Sequence, residues 1–323
     1  MKNTLSTIYK SIINFNFKTL YSDISLFTVI FLSILSIISI VYKINLENIG
    51  NKIFLHFSLI FIITFLAPLL INFFNIKRLS LLNSFIITLI IFLLIDPTQN
   101  TIITSIMCGL ALFTRLFVRY DNKPVFNSSM IGVGLVALFF SIFTIKGVEV
   151  KPIISWWGMN FQQILVDYKM MLSGLLILLA GIYISYKSKR YILASAAIFF
   201  MGIFWITDYA LFTQIRDFKE NMSVLIEMFF QGTLVFTIFL ILIDPITTPK
   251  KNKSQIYYGL FFSLIFAYLF FSKIDNAIIY SIILINIAFY FVKILPTLRR
   301  LLRPQLRKVI EKITEKKSQI KKV

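Results

Sequence analysis

The chain has 323 residues, of which 58% are hydrophobic and 15% charged, and its formal net charge is +19. A mean hydropathy of +0.84, with apolar runs of about 20 residues and short polar gaps between them, excludes a soluble globular protein and describes an all-α integral membrane protein with many spans. The single histidine leaves no nucleophile–His–acid set for hydrolysis, and the single cysteine, Cys108, allows neither an intrachain disulfide nor, alone, an iron–sulfur cluster.

In chain order, residues 1–24 carry Lys2, Lys10 and Lys18 among Ile8, Ile12, Ile13, Phe15 and Phe17, the pattern of an amphipathic segment lying on a membrane surface. Hydropathy predicts ten spans, at 25–43, 53–74, 80–95, 100–119, 128–145, 170–186, 191–208, 222–243, 256–272 and 277–295. Placing the N-terminus inside puts 25 of the 33 basic residues on one side. That asymmetry selects a multi-pass topology with both termini in, in a bacterial cytoplasmic (inner) membrane, and it assigns the excess charge to orientation rather than to nucleic acid. The chain then divides into an N-terminal segment 1–24, a first membrane repeat 25–145, an external loop 146–169, a second repeat 170–295 and a basic tail 296–323.

Two echoing phrases suggest the repeat, Leu-Leu-Ile-Asp96-Pro97 and Leu-Ile-Leu-Ile-Asp244-Pro245-Ile-Thr247-Thr248-Pro249. Proline lacks an N–H and disfavours helix in the residue before it, so each phrase ends a helix and leaves a carboxylate beside unpaired carbonyls. The phrases close the third and eighth spans, five spans apart and on opposite faces, as in inverted-repeat folds whose sites lie at interrupted helices. Chance similarity of two helix ends in a compositionally biased chain is the other reading.

Between the fourth and fifth spans, Arg115 and Arg119 lead through Phe126 to Asn127-Ser128-Ser129, an expected helix cap, and Gly132 and Gly134 then permit close helix approach. In the 146–169 loop, Trp156, Trp157 and Tyr168 are expected to anchor at the interface. His56, Asp208 and Glu227 are polar groups in or beside spans; His56 is expected to be a hydrogen-bonded packing residue, and no metal site is expected. Leu306, Val309, Ile310 and Ile313 give the lysine-rich tail one apolar side, suited to anionic lipid or to an acidic partner.

Two motifs resemble a known membrane family. Arg119-Tyr-Asp-Asn-Lys-Pro-Val-Phe-Asn-Ser-Ser-Met-Ile-Gly132 is similar to its Arg-Tyr-x-Gly-Lys-His-x-Phe-Asn-Pro-x-x-x-Gly, and Asp244-Pro-Ile-Thr-Thr-Pro249 matches its Asp-Pro-x-(Ser/Thr)-(Ala/Thr)-Pro. The family comprises the RnfD component of the Rnf electron-transport complex, the NqrB component of the sodium-pumping NADH:quinone reductase, and stand-alone relatives. The resemblance implies ten spans in two inverted five-helix repeats, related to the urea and ammonium transporter architecture, and a role in membrane electron transport with flavin. It also implies an FMN esterified to a threonine in a Ser-Gly-Ala-Thr-type motif. That motif is absent here, and the 146–169 loop has no threonine.

The expectation is therefore a flavin-binding redox protein or electron-transport subunit, with FMN or riboflavin held non-covalently by Asp244, Pro245, Thr247, Thr248, Phe126, Asn127 and Asp96. The lipid bilayer and other membrane redox subunits are its expected partners. A small-solute or ion transporter on the same fold, and a structural scaffold, are the alternatives.

Overall fold

A computed structural model describes residues 23–47, 50–74, 80–120, 123–142, 168–212, 233–244, 246–274 and 276–295. Residues 1–22 of the expected surface segment, Trp156 and Trp157, Glu227, Pro245 and the tail from 296 lie outside the described residues, as do the side chains of Tyr168 and Asp208.

The described chain is helical apart from one two-residue hairpin. α1 is Ile24–Glu47, its first turn capped by Asp23 Oδ1, which accepts the Ser25 N–H at 2.9 Å. α2 runs Gly50–Phe73 and contains a π turn at Ile62–Leu66. Pro68 follows that turn, and its missing N–H and bulky ring account for the widening, since a regular helix would drive the ring against the carbonyl of Thr64. α3 is Leu81–Leu94, α4 Thr101–Phe117 and α5 Ser128–Ile142. Between α4 and α5, β1 (Arg119–Tyr120) pairs antiparallel with β2 (Lys123–Pro124). α6 is Tyr168–Lys187 and α7 Tyr191–Phe212. α8 is described from Thr233 and ends in a second π turn, Thr237–Leu242, while α9 is Asn252–Phe271 and α10 Ala277–Leu295.

α1, α2, α9 and α10 are each long and apolar enough to cross a membrane, and α3, α4, α5, α6 and α7 contain shorter apolar stretches. Phe54, Phe73, Ile102, Phe199, Tyr268 and Phe291 are among the many large apolar side chains left more than 60% exposed. In water such a surface would drive aggregation; in a bilayer it is the lipid-facing side. The protein is therefore an all-α, multi-pass membrane protein.

Small residues set the helix spacing where lipid supplies no hydrophobic drive between helices. A Cβ at Gly132 would lie 2.5 Å from the Met107 carbonyl, which seats α5 on α4, and one at Gly134 would lie 2.4 Å from Ile283 Cδ1 on α10. At Gly181 it would meet Phe239 Cβ at 2.3 Å, and at Gly259 Ala196 Cβ at 2.9 Å. Those contacts join α6 to α8 and α9 to α7, and the Ser263 hydroxyl, donating to the Ala197 carbonyl at 2.8 Å, reinforces the second. The expected close approach at Gly132 and Gly134 is present. α1 packs on α3 and α2 on α4; α6 packs on α8 and α7 on α9. The buried core, with Phe92, Phe236, Phe262 and Tyr258 at its centre, runs through both groups.

Candidate functional site

The second Asp-Pro phrase forms a tight turn between α8 and α9. Asp244 Oδ1 accepts the Ile246 N–H at 3.0 Å, Oδ2 accepts the Thr247 hydroxyl at 3.1 Å, and the Asp244 carbonyl accepts the Thr248 N–H at 3.1 Å. The carboxylate and its own backbone thus satisfy the groups that the broken helix leaves open, as Asx turns do. Burial raises the Asp244 carboxyl above the ordinary carboxylate range, opposed by the Ile246 N–H, the Thr247 hydroxyl and the positive charge of Arg190. Arg190 is held below its ordinary value by the same burial, and Asp244 opposes that shift.

A second turn, between α6 and α7, is fastened to this one. Lys189 there takes a positive φ of 57°, and the Arg190 N–H donates back to the Ser185 carbonyl at 2.8 Å, which ends α6. Arg190 Nε donates to Thr248 Oγ1 at 2.9 Å. Gln255, fully buried on α9, accepts the Leu193 N–H at 3.2 Å and donates to the carbonyls of Lys189 at 2.9 Å and Lys250 at 3.1 Å. Neither Arg190 nor Gln255 stands out in the sequence as more than a loop cation and a lone amide near a span. The available signal is Gln255 itself, an amide near the start of an apolar run that is costly to bury unless its groups are paired.

From the first half of the chain, Arg115 near the end of α4 donates to Ser84 Oγ at 2.6 Å and to the Ser80 carbonyl at 2.9 Å, so α4 is tied to the start of α3. The hairpin then carries the chain to Asn127, whose Oδ1 accepts the Met130 N–H at 3.3 Å. This is the helix cap expected from Asn-Ser-Ser.

Residues from both halves of the chain line one cavity of about 1000 Å³. Phe126, Asn127, Ser128 and Ser129 form part of its wall, Asp244, Thr247 and Thr248 another, and the starts of α1 and α3 and the end of α10 complete it. Phe126 and Tyr290 face each other there with ring centroids 6.5 Å apart. Five of the seven residues expected to form a site therefore meet: Asp244, Thr247, Thr248, Phe126 and Asn127. Pro245 lies outside the described residues.

Asp96 does not join them. It follows the far end of α3, a 14-residue helix, about 20 Å from that helix's start and beyond Ile90, the last α3 residue that lines the cavity. Its turn is built like that of Asp244: Oδ1 accepts the Thr98 N–H at 2.7 Å and also the Thr98 hydroxyl, and the Asp96 carbonyl accepts the Gln99 N–H at 2.9 Å. Nearby His56 Nε2 lies 3.0 Å from the Ile95 carbonyl, the packing hydrogen bond expected of a lone buried histidine. Among the described residues no group of three or more His, Cys, Asp or Glu side chains is placed to hold a metal ion.

No curated protein sequence matches the chain. The model of the NQR2, RnfD, RnfE family matches residues 146–304, a stretch that includes α6, α7, α8, α9, α10 and the Asp244 turn. With the helices and turn it covers, that match makes the second half of the chain similar to the NqrB/RnfD-like family of membrane proteins, whose members are electron-transport-type subunits.

Proposed function

We propose that the chain is a ten-span, inverted-repeat redox subunit of a bacterial cytoplasmic membrane that holds FMN or riboflavin non-covalently in the cavity between its halves. The observation that carries this reading is the convergence of Phe126 and Asn127 with Asp244, Thr247 and Thr248 on one cavity of about 1000 Å³. That volume is at the upper end of the range for small-ligand sites, about 300–1,000 Å³. Phe126, Phe289 and Tyr290 offer apolar faces to a ring system, and Asn127, Thr247 and Thr248 offer donors and acceptors to its edge. A bound flavin supplies one- or two-electron transfer, while the protein supplies binding, orientation and exclusion of water. A covalent link has no support, because the Ser-Gly-Ala-Thr sequence is absent.

The repeat is supported by pairings that recur five helices apart: α1 on α3 as α6 on α8, and α2 on α4 as α7 on α9. Contacts between the halves are also matched, α1 with α6 through Phe27 and Tyr183 (ring centroids 4.6 Å apart) and α5 with α10 through Gly134 and Ile283. The inside placement of both ends rests on the basic residues, since Arg115, Arg119, Lys250, Lys251 and Lys293 gather at the cavity end.

The test is a visible absorption spectrum of the detergent-purified protein before and after acid precipitation. Flavin bands that move entirely to the supernatant are expected, whereas flavin remaining in the pellet shows a covalent link and no extractable flavin sinks the reading. A transporter is favoured by one observation, the buried hydroxyls of Ser84, Thr88 and Thr64 below the cavity, with Thr64 and Thr88 oxygens 2.7 Å apart. Solute uptake into proteoliposomes that is abolished by Asp244→Asn in a folded protein would replace the flavin reading with that one.

A further inference from the structure

The cavity contains a fully buried polar atom with no partner. Ser129, in the first turn of α5, is 0% exposed and lines the cavity wall, yet its Oγ has no hydrogen bond. A buried hydroxyl left unpaired carries the cost of its lost hydration, and in a cavity wall such a group points to a ligand atom. Three further features surround it.

The first is α5 itself, 15 residues long, whose N-terminus opens on the cavity through Asn127, Ser128 and Ser129. The first N–H groups of a helix have no partner within it, and the aligned peptide dipoles add positive potential there. The second is that the cap uses the N–H of Met130, taken by Asn127 Oδ1, so the side-chain cap lies one residue beyond Ser129. The third is charge. Arg115, Arg119, Lys250, Lys251 and Lys293 line the cavity against one carboxylate, Asp244. Arg115 is fixed by Ser84 and the Ser80 carbonyl, so its charge does not move to follow a ligand.

We propose that the first turn of α5, with the Ser129 hydroxyl at its centre and Arg119 lining the same cavity, is a phosphate site. A phosphate offers several oxygens to the several donors gathered there, and such groups bind well at helix N-termini. The phosphate belongs to a ligand whose body lies deeper in the cavity, either a phosphorylated flavin or an anionic phospholipid whose headgroup enters from the basic end. The flavin arm rests on the reading above; the lipid arm does not.

The test reconstitutes the full chain in phosphatidylcholine nanodiscs. FMN and riboflavin, which differ only in the phosphate, are titrated by flavin fluorescence, and co-purified phosphatidylglycerol is counted by native mass spectrometry. FMN is expected to bind at least tenfold more tightly than riboflavin. Ser129→Ala and Arg119→Gln should each reduce that ratio to about threefold or less while leaving riboflavin unchanged. Ser129→Ala removes a buried hydroxyl without a partner and Arg119 is exposed, so without ligand the first variant is expected to unfold at or above the wild-type midpoint and the second at it. If no flavin binds but one phosphatidylglycerol per chain is retained and is lost in both variants, the phosphate site stands and the flavin reading falls. Equal affinity for FMN and riboflavin leaves the flavin reading and overturns the phosphate site. Binding of FMN or phosphatidylglycerol that ignores both substitutions overturns it too, as does binding of neither.

Discussion

Asp244 shows how one side chain both ends a helix and shapes a site. Its oxygens accept the Ile246 N–H and the Thr247 hydroxyl, and Arg190, through Thr248, holds the same turn from the other side. Burial raises this carboxyl above its ordinary value of 3.8, so its contribution to stability is complete below that pH and is lost as pH rises through the elevated folded value. Asp244→Asn stays neutral and keeps an oxygen to accept the Ile246 N–H. Its thermal unfolding midpoint between pH 4 and pH 8 is therefore expected to depend less on pH than that of the wild type, as nanoscale fluorimetry in detergent can measure; an equal slope would remove Asp244 as the source. The need for such a turn could be read from Asp244-Pro245-Ile-Thr-Thr-Pro, because proline stops a helix. Its fastening by Arg190 and Gln255 could not, since 58 and 66 residues separate Arg190 from Thr248 and Lys189 from Gln255.

At the scale of elements, glycines act in opposite ways according to what faces them. Gly181 lies against Phe239, where an added Cβ would stand 2.3 Å from Phe239 Cβ, whereas a Cβ at Gly202 in α7 would meet nothing within 4 Å. Gly181→Ala is expected to destabilise by about 1–3 kcal/mol through overpacking between α6 and α8. Gly202→Ala is expected to be neutral or to stabilise by up to about 1 kcal/mol, because alanine favours the helix and has room. Unfolding midpoints of the two variants in one detergent check the contrast. The same scale explains the two π turns: the one in α2 precedes Pro68, and the one in α8 precedes the Asp244 turn. The prolines could be read in advance as interruptions, but the choice of a widened turn over a kink depends on how neighbouring helices hold the backbone.

For the whole molecule, the central expectation is that the cavity lies at the cytoplasmic end and Asp96 at the other. Cys108 is the single cysteine and is buried, so a Cys108→Ala background gives clean labelling. In that background, Asn100→Cys, exposed beside the Asp96 turn, is expected to react with an impermeant maleimide in intact cells. Lys250→Cys, exposed beside the cavity, is expected to react only after lysis. The reverse pattern would invert the topology, and equal labelling of both would remove the opposition of the two Asp-Pro turns.

The sequence by itself determined the solvent, the helical class and the helix ends. Hydropathy, proline and capping residues act over a few neighbours, and a bilayer leaves a backbone few ways to satisfy its polar groups. Its two motifs also named five residues that meet, because a helix end followed by a short turn keeps its polar groups at one end of the bundle. Only the tertiary structure decided that Phe126 and Asn127 share a cavity with Asp244 while Asp96 does not, and that Arg190 and Gln255 clamp the turns. It also left Ser129 buried in the wall with an unpaired hydroxyl. These are consequences of which helices pack together, and that follows from glycine contacts and side-chain volumes summed over distant segments, which no local pattern contains.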